Sequence, residues 1–294
     1  MIATPWGVWV MASRPSTLPA AIAPVAVGTA LAGAEGIFHP VRFVAALIGA
    51  IFIQIGTNLA NDYSDAQRGA DTEDRLGPMR VTAQGLAAPR RVLAATSLAF
   101  AVAVAVGIYL AAVTNWALLV VGTVSIAAGV LYTGGPKPYG YEGLGEVFVF
   151  LFFGLVAVAG SYYVQTEQLG WYAVTLAVPI GLLAAAILIV NNVRDIDTDR
   201  RAGKRTLAVA LGRRRSRRLF AVVLYLAFAW IAAAAIVTDR LWLLLCFTAL
   251  PLAPQLSRTV TAHTDGASLN SALASTGRLL AVFAALEAAA LLLN

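Results

Sequence analysis

Acidic residues with a regular spacing follow two of the apolar stretches of this 294-residue sequence. Asp195 and Asp199 are spaced i, i+4, so a helix through them places both carboxylates on one face, one turn apart. Asn61 and Asp65 have the same spacing after the earlier stretch, and Gly69 then favours an end to the helix. Because carboxylates gathered in this way repel one another, the pattern indicates that a cation binds there.

The ligands that these segments offer are oxygen atoms, which hard cations such as Mg²⁺ or Mn²⁺ prefer. Neither segment contains Cys or His, and this disfavours zinc, copper and haem. The candidate metal ligands are Asn61, Asp62, Asp65, Asp71, Asp195 and Asp199. For Glu73, Asp74 and Asp197, a solvated position without a catalytic role is the preferred interpretation. Protein-bound Mg²⁺ usually takes one or two carboxylates and fills its shell with phosphate oxygens, so we expect a phosphorylated substrate.

Basic residues lie in the same parts of the chain as these carboxylates. Five ionised aspartates, one diphosphate and two Mg²⁺ ions together leave a net charge of about −4. Several cationic side chains must therefore bind the phosphates, and Arg can bind such groups with two hydrogen bonds at once. The cations available are Arg68, Arg75, Arg80, Lys137, Arg194, Lys204 and Arg205.

The elements that position these residues are strongly apolar. Hydrophobic residues make up 60% of the chain and charged residues 12%, with a mean hydropathy of +0.78. Soluble domains are about 25% charged, so a soluble globular protein is excluded. Residues 98–113 are apolar on every face, which favours helices over the alternating strands of a β-barrel. We predict an all-α, polytopic membrane protein in which residues 1–294 form a single transmembrane domain.

Continuous apolar stretches predict nine transmembrane helices. They cover residues 16–34, 41–60, 92–113, 115–134, 143–164, 170–190, 219–238, 241–256 and 279–293. Pro19 and Pro24 predict a break in the first of them. Long charged connections at 61–91 and 191–218 hold the acidic residues.

The basic residues predict the orientation of the chain in the membrane. Of the 21 Lys and Arg residues, 19 fall on one side, and only Arg42 and Arg240 fall on the other. Since basic residues near span ends stay in the cytoplasm, we expect the N-terminus and both acidic segments to be cytoplasmic and the C-terminus to be outside. The net charge of +6 then fits this topology and anionic lipid head groups, not nucleic acid.

At these residues the sequence resembles the UbiA superfamily of intramembrane prenyltransferases, and the resemblance covers nearly the whole chain. Its two Asp-rich motifs match Asn61-Asp65-Asp71 in NDYSDAQRGADTED and Asp195-Asp199 in NNVRDIDTDRRAGKRTLAV. The first motif has two more residues before Asp71 than the general pattern. This longer form is similar to the branch that makes menaquinone precursors, as are the segments RPSTLPAAIAPV and GGPKPYGYEGLGEVFVFLFFG.

The resemblance implies nine helices around a lipid-accessible cavity that the two motifs cap. Two Mg²⁺ ions on the motif residues would bind the diphosphate of a polyprenyl donor, with Glu73 and Asp74 as rivals of Asp71 for one ligand position. Lys137 and the nearby cations Arg75, Arg80, Arg194, Lys204 and Arg205 would neutralise the leaving group. Aromatic faces would stabilise the allylic cation, with Tyr63, Tyr132, Tyr139 and Tyr141 as candidates.

The aromatic acceptor implied for this branch is 1,4-dihydroxy-2-naphthoate, which loses CO₂ as it is prenylated and gives demethylmenaquinol. Another branch of the superfamily, with 4-hydroxybenzoate, homogentisate or haem as the acceptor, is the main alternative. An ion-coupled secondary transporter is a more distant one. Carrier acids belong near the middle of the membrane, whereas six of the nine predicted spans contain no charged residue at all.

Overall fold

A computed structural model describes residues 5–70 and 76–293, and these residues form helices without any β-strand. The predicted all-α class is confirmed. The α-helices are α1 (Pro5–Ser13), α2 (Pro19–Ala34), α3 (Pro40–Gln67), α4 (Pro89–Val113), α5 (Ala117–Leu131), α6 (Gly145–Val149), α7 (Ala157–Thr166), α8 (Trp171–Arg201), α9 (Leu207–Val237), α10 (Leu252–Ala262) and α11 (Gly266–Leu292). A π-helical segment, Phe150–Val156, joins α6 to α7, and 3₁₀ turns occupy Pro15–Thr17, Tyr139–Glu142 and Leu241–Ala249.

Six helical segments are long and apolar enough to cross a membrane, and up to eight are if each bent pair counts as one span. The chain is therefore a multi-pass membrane protein. One bent pair joins Trp6–Thr17 to Pro19–Ala34 at 54°, which confirms the predicted break at Pro19, whereas Pro24 lies inside α2 without a break. The other joins Leu241–Ala249 to Leu252–Ala262 at 44°. Proline at the start of α2 supplies a physical reason for the first bend, because it cannot donate a backbone hydrogen bond.

Several helices extend beyond the predicted spans. α3 continues past residue 60 to Gln67, and α8 continues past residue 190 to Arg201. With 28 and 31 residues at about 1.5 Å each, both helices are longer than a hydrocarbon layer of roughly 30 Å is thick, and the acidic motifs lie in their last turns. α11 begins at Gly266, well before the predicted position 279, because its polar first turns are also helical. α9 begins at Leu207 and is kinked at Gly212 (φ 75°, ψ 161°), and the part after the kink starts before the predicted position 219.

The central helix of the bundle is α8, which packs against α9, α11 and the π-helical segment. The contact with the π-helical segment is unusually close at Gly154, where an added Cβ would lie 2.6 Å from the Cα of Gly181. Small residues allow helix backbones to approach in this way within membranes. The contact fixes the α6–α7 wall against α8, the helix that carries the second acidic motif.

Candidate active site

A cavity of about 410 Å³ lies between α3, α4 and α5 on one side and α6, α7 and α8 on the other. Its wall is apolar along most of its length, with small residues such as Gly107, Gly122 and Gly160. Polar residues line it near the carboxyl-terminal ends of α3 and α8. They include Arg14, Asn61, Asp65, Arg80, Tyr132, Tyr139, Tyr141, Asn191, Asn192, Asp195, Asp199 and Lys204. The structure thus brings both acidic motifs to one cavity.

Asp65 is the most heavily engaged carboxylate of the site and is only 1% exposed. Its Oδ2 accepts a 2.9 Å hydrogen bond from Arg80, and its Oδ1 accepts one of 3.2 Å from Lys204 Nζ. The Tyr141 hydroxyl donates to the same Oδ1 at 2.6 Å, and Lys204 Nζ lies 4.6 Å from the centre of the Tyr141 ring. Two cations from different parts of the chain therefore meet on one aspartate.

The carboxylate of Asp195 forms a buried ion pair with the guanidinium of Arg194. Two hydrogen bonds of 2.8 and 2.6 Å join the guanidinium to the two carboxylate oxygens. The same guanidinium donates to Asn191 Oδ1 at 2.8 Å and to Asn270 Oδ1, on α11, at 2.6 Å. Arg194 is 1% exposed and lies outside the cavity lining, so in this structure it orients Asp195 and does not face a ligand. We expected this arginine among the diphosphate-binding cations.

Asp62 also differs from the expectation, since it was a candidate metal ligand. Both of its oxygens accept backbone hydrogen bonds, from the N–H groups of Val81 and Thr82 at 3.0 Å each. Neighbouring residues of a helix point about 100° apart, so Asp62 faces the 80–84 turn while Asn61 faces the cavity. Asp62 thus anchors the turn that carries Arg80, and this geometry does not support metal ligation by Asp62.

The remaining predicted residues fall into three groups. Asp199 lines the cavity one turn beyond Asp195, and Asn61 lines it with its Oδ1 accepting a 2.9 Å hydrogen bond from Thr133. Arg68, Lys137 and Arg205 are exposed and lie outside the cavity lining. The third group consists of residues outside the described part of the chain, namely Asp71, Glu73, Asp74 and Arg75.

The donor set at the polar end fits a hard divalent cation. One amide oxygen and three carboxylates, those of Asn61, Asp65, Asp195 and Asp199, line the same cavity. Among residues 5–70 and 76–293, no group of three or more His, Cys, Asp or Glu side chains is close enough to form a metal cage. The oxygen donors of these four residues fit Mg²⁺, which usually combines one or two carboxylates with oxygens of a phosphorylated ligand.

An aromatic row continues the cavity wall away from the acidic end. The rings of Tyr139 and Phe148 are stacked with centroids 4.0 Å apart, and Phe148 lies 6.1 Å from Phe152. Tyr132 meets Tyr139 edge to face at 5.5 Å. The Tyr139 hydroxyl donates to the carbonyl of Ala128 at 2.8 Å, and burial raises the pKa of this hydroxyl above its ordinary value. The row therefore presents neutral aromatic faces to the cavity.

Of the tyrosines proposed from the sequence, Tyr63 is the one outside the cavity lining. It packs instead beside the small apolar cluster of Val8, Leu59 and Val81. In a helix, Tyr63 follows Asn61 by two positions and so lies on a different face.

Sequence reasoning missed two buried polar residues beside the site. Glu146 is 7% exposed, and its Oε1 accepts a 2.9 Å hydrogen bond from Asn192 Nδ2. The available signal was the position of Glu146 inside a predicted span, because an ionisable residue within a membrane segment is by default a functional candidate. Asn192 had a weaker signal, as one of two adjacent asparagines before Asp195.

The sequence is similar to known proteins over nearly its whole length. The model of the UbiA prenyltransferase family matches residues 21–286. The 1,4-dihydroxy-2-naphthoate octaprenyltransferase of Mycobacterium tuberculosis is 42% identical, over 96% of this chain and 96% of its own. The protein of the same name from Escherichia coli is 39% identical over 91% and 89%.

The fold has counterparts among solved structures. A UbiA homologue from Archaeoglobus fulgidus bound to GPP and Mg²⁺ superimposes with a TM-score of 0.68, at 17% identity, over 97% of this chain and 99% of that one. A UbiA homologue from Aeropyrum pernix gives a TM-score of 0.69 at 13% identity, over 90% and 96%. With the family model covering most of its length and two acidic motifs meeting in one membrane cavity, this chain belongs to the UbiA prenyltransferase family.

Proposed function

We propose that this chain is a Mg²⁺-dependent prenyltransferase that moves a polyprenyl group from polyprenyl diphosphate to 1,4-dihydroxy-2-naphthoate. Diphosphate and CO₂ are released, and the product is demethylmenaquinol. The observation that carries this proposal is the cavity, whose otherwise apolar wall has Asp65, Asp195 and Asp199 in its polar lining. A substrate with a charged head and a long hydrocarbon tail matches such a cavity. The relatives named as octaprenyltransferases of this naphthoate support the choice of acceptor.

The residues at the polar end would stabilise the departing diphosphate. Bound Mg²⁺ would be held by Asn61, Asp65, Asp195 and Asp199 and would supply positive charge to the phosphate oxygens. Arg80 and Lys204 already converge on Asp65 and would share their hydrogen bonds with those oxygens. Electrostatic stabilisation of a leaving group is usually the largest contribution that a protein makes to such a reaction.

The aromatic row would assist the next step. The bond between the allylic carbon and the diphosphate oxygen breaks toward a carbocation, which the faces of Tyr132, Tyr139 and Phe148 are placed to stabilise. The naphthoate ring then forms a bond to that carbon at the ring position that carries the carboxylate. Loss of CO₂ returns the electron pair of the broken bond to the ring and restores its aromaticity. The apolar wall excludes water from the cation.

The proposal extends to the arrangement in the membrane. Six long spans, two bent pairs and the shorter apolar helix α5 would together make the nine spans expected from the sequence. The distribution of basic residues supports a cytoplasmic N-terminus and acidic end, with the C-terminus outside. Residues 1–294 would act as one transmembrane domain.

One assay tests the reaction and its metal. Purified protein is incubated with Mg²⁺, a polyprenyl diphosphate and naphthoate labelled in its carboxyl group, and labelled CO₂ should appear in step with the prenylated product. We expect Mn²⁺ to replace Mg²⁺ and excess EDTA to abolish turnover. Full activity in EDTA would contradict the metal role. Turnover of 4-hydroxybenzoate, with its carboxylate retained and no reaction of the naphthoate, would contradict the acceptor.

A further inference from the structure

Asn192 lies on the cavity wall just inside the acidic end. With Asp195 and Asp199 it forms an i, i+3, i+7 series on α8, and all three residues line the cavity. At about 1.5 Å of rise per residue, Asn192 is about 4.5 Å farther along the helix axis toward the membrane than Asp195. This is the level at which the reacting carbon of a prenyl donor would lie if its diphosphate were bound at the aspartates.

The amide of Asn192 is held in one orientation by Glu146. Asn192 Nδ2 donates a 2.9 Å hydrogen bond to Glu146 Oε1, and both side chains are buried. Because a carboxylate only accepts hydrogen bonds, it selects the nitrogen end of the amide. The oxygen end, Oδ1, is left with a single long contact of 3.5 Å from Asn191 Nδ2, so it retains a lone pair for a further donor.

We propose that Asn192 Oδ1 accepts a hydrogen bond from a hydroxyl group of the aromatic acceptor, and that Glu146 is a positioning residue for this amide. The inference rests on the proposed function, which supplies a dihydroxylated acceptor. Diphosphate oxygens are hydrogen-bond acceptors and have no proton to give to Oδ1, whereas each phenol hydroxyl has one. An accepted hydrogen bond also raises the electron density on the phenol oxygen, and this makes the ring a better nucleophile.

The aromatic row provides the second feature that a flat phenol needs. Phe148 lies on the same helix as Glu146 and lines the cavity, and its ring is stacked on that of Tyr139. The Tyr139 hydroxyl is already bonded to Ala128, so the pair offers ring faces and no donor to the cavity. A planar bicyclic acceptor has a broad face to lay against these rings, while a flexible prenyl chain has none.

Binding measurements on the full-length protein test the role of Asn192. We compare wild type with Asn192→Leu, measuring the Kd of 1,4-dihydroxy-2-naphthoate, the Kd of its two monomethyl ethers and the KM of the polyprenyl diphosphate. The variant should bind the naphthoate about tenfold more weakly, with a change of less than about twofold in the KM of the donor. One of the two ethers should bind wild type about tenfold more weakly than the naphthoate, and that difference should disappear in the variant.

Wild type alone keeps the inference falsifiable if the leucine variant does not fold. Equal affinity of wild type for the naphthoate and for both ethers would overturn it. So would an Asn192→Leu protein that binds the naphthoate normally or loses both substrates equally. If wild type transfers no prenyl group to the naphthoate, the proposed function fails together with this inference. If transfer occurs but the Kd of the naphthoate is the same in wild type and Asn192→Leu, only this inference fails.

Glu146 has its own variants and a matched control. Glu146→Ala should weaken naphthoate binding as Asn192→Leu does, while Glu146→Gln should restore most of it because its amide oxygen still accepts from Asn192 Nδ2. Glu287→Ala removes another buried carboxyl group, which lies on α11 and outside the cavity lining, and should leave both substrate affinities unchanged. Equal loss of naphthoate affinity in the Gln and Ala variants of Glu146 would contradict the positioning role.

Discussion

The hydroxyl of Tyr141 and the Nζ of Lys204 both donate to a single oxygen of Asp65, Oδ1, at 2.6 and 3.2 Å. Tyr141 lies on the 3₁₀ turn before α6, and its carbonyl accepts a 2.9 Å hydrogen bond from the backbone N–H of Arg205, the residue after Lys204. The tyrosine thus ties the segment after α8 to the acidic end of α3. Its hydroxyl fixes the direction in which Asp65 faces the cavity.

Removal of that hydroxyl should impair catalysis more than folding. Tyr141→Phe leaves the ring under Lys204 but deletes a hydrogen bond to a charged group, so we expect kcat/KM for the polyprenyl diphosphate to fall about tenfold or more. Tyr225→Phe, at an exposed position on α9, should stay within about twofold of wild type. Wild-type kcat/KM in Tyr141→Phe at equal expression would contradict this role.

Substitutions of the aspartates of α8 should differ in their effect on the reaction rate according to the helix face that each aspartate occupies. Asp195→Ala and Asp199→Ala should each lower the rate at least about a hundredfold, because both line the cavity at the proposed metal site. Asp197 is 61% exposed and pairs with Arg213 at 2.7 Å on the outer face, so Asp197→Ala should be mild. Steady-state rates at matched protein levels test this, and equal losses in all three variants would show that the wrong face of α8 had been assigned.

Asp62 and Asp65 should differ in how their loss affects the Mg²⁺ requirement. Asp65→Asn should raise the Mg²⁺ concentration needed for half-maximal activity, because it removes charge from the cavity wall. Asp62→Asn should lower thermal stability and total activity without changing that concentration, since Asp62 accepts the N–H groups of Val81 and Thr82. Titration of activity with Mg²⁺ in both variants decides the matter. A higher Mg²⁺ concentration for half-maximal activity in Asp62→Asn would instead indicate that Asp62 is a metal ligand.

The orientation is open to a test without any substrate. In a chain whose single cysteine, the buried Cys246, is replaced by Ala, new cysteines at the exposed positions Gln84 and Glu142 should react only with membrane-permeant reagents in intact cells. A cysteine at Gln168, at the opposite end of the bundle, should react with an impermeant reagent. Labelling of Gln84→Cys by the impermeant reagent in intact cells would contradict the proposed orientation.

Periodicity and composition were enough to predict the helical class and the shared face of Asp195 and Asp199, because both depend on local geometry. The resemblance to the UbiA superfamily implied that the two motifs cap one cavity, and residues of both motifs line one cavity in the structure. Helix ends were less predictable, since the last turns of α3 and α8 are polar, and hydropathy does not distinguish a polar helical turn from a loop.

The directions in which the site's side chains point were harder to predict from the sequence than the helices that carry them. Charge and proximity in sequence suggested Arg194 and Lys137 for the diphosphate, but Arg194 points back to Asp195 and Lys137 points to solvent. Those directions depend on which neighbour each helix face meets, and Asn270 of α11 is 76 residues away from Arg194. A pattern read within one segment carries no information about such a partner.

The side chain of Asn270 has a consequence for how the protein matures. Its Oδ1 receives Arg194, which holds Asp195, and its Nδ2 donates a 3.0 Å hydrogen bond to the carbonyl of Leu76, in the connection after α3. Through these two hydrogen bonds, α11 contacts both acidic segments. During synthesis, earlier spans enter the membrane while Asn270 is still in the ribosome, so Arg194 and the Leu76 carbonyl lack this partner at that stage. A chain released before Gly266 should therefore be inserted yet inactive, and activity should begin only once α11 has been synthesised.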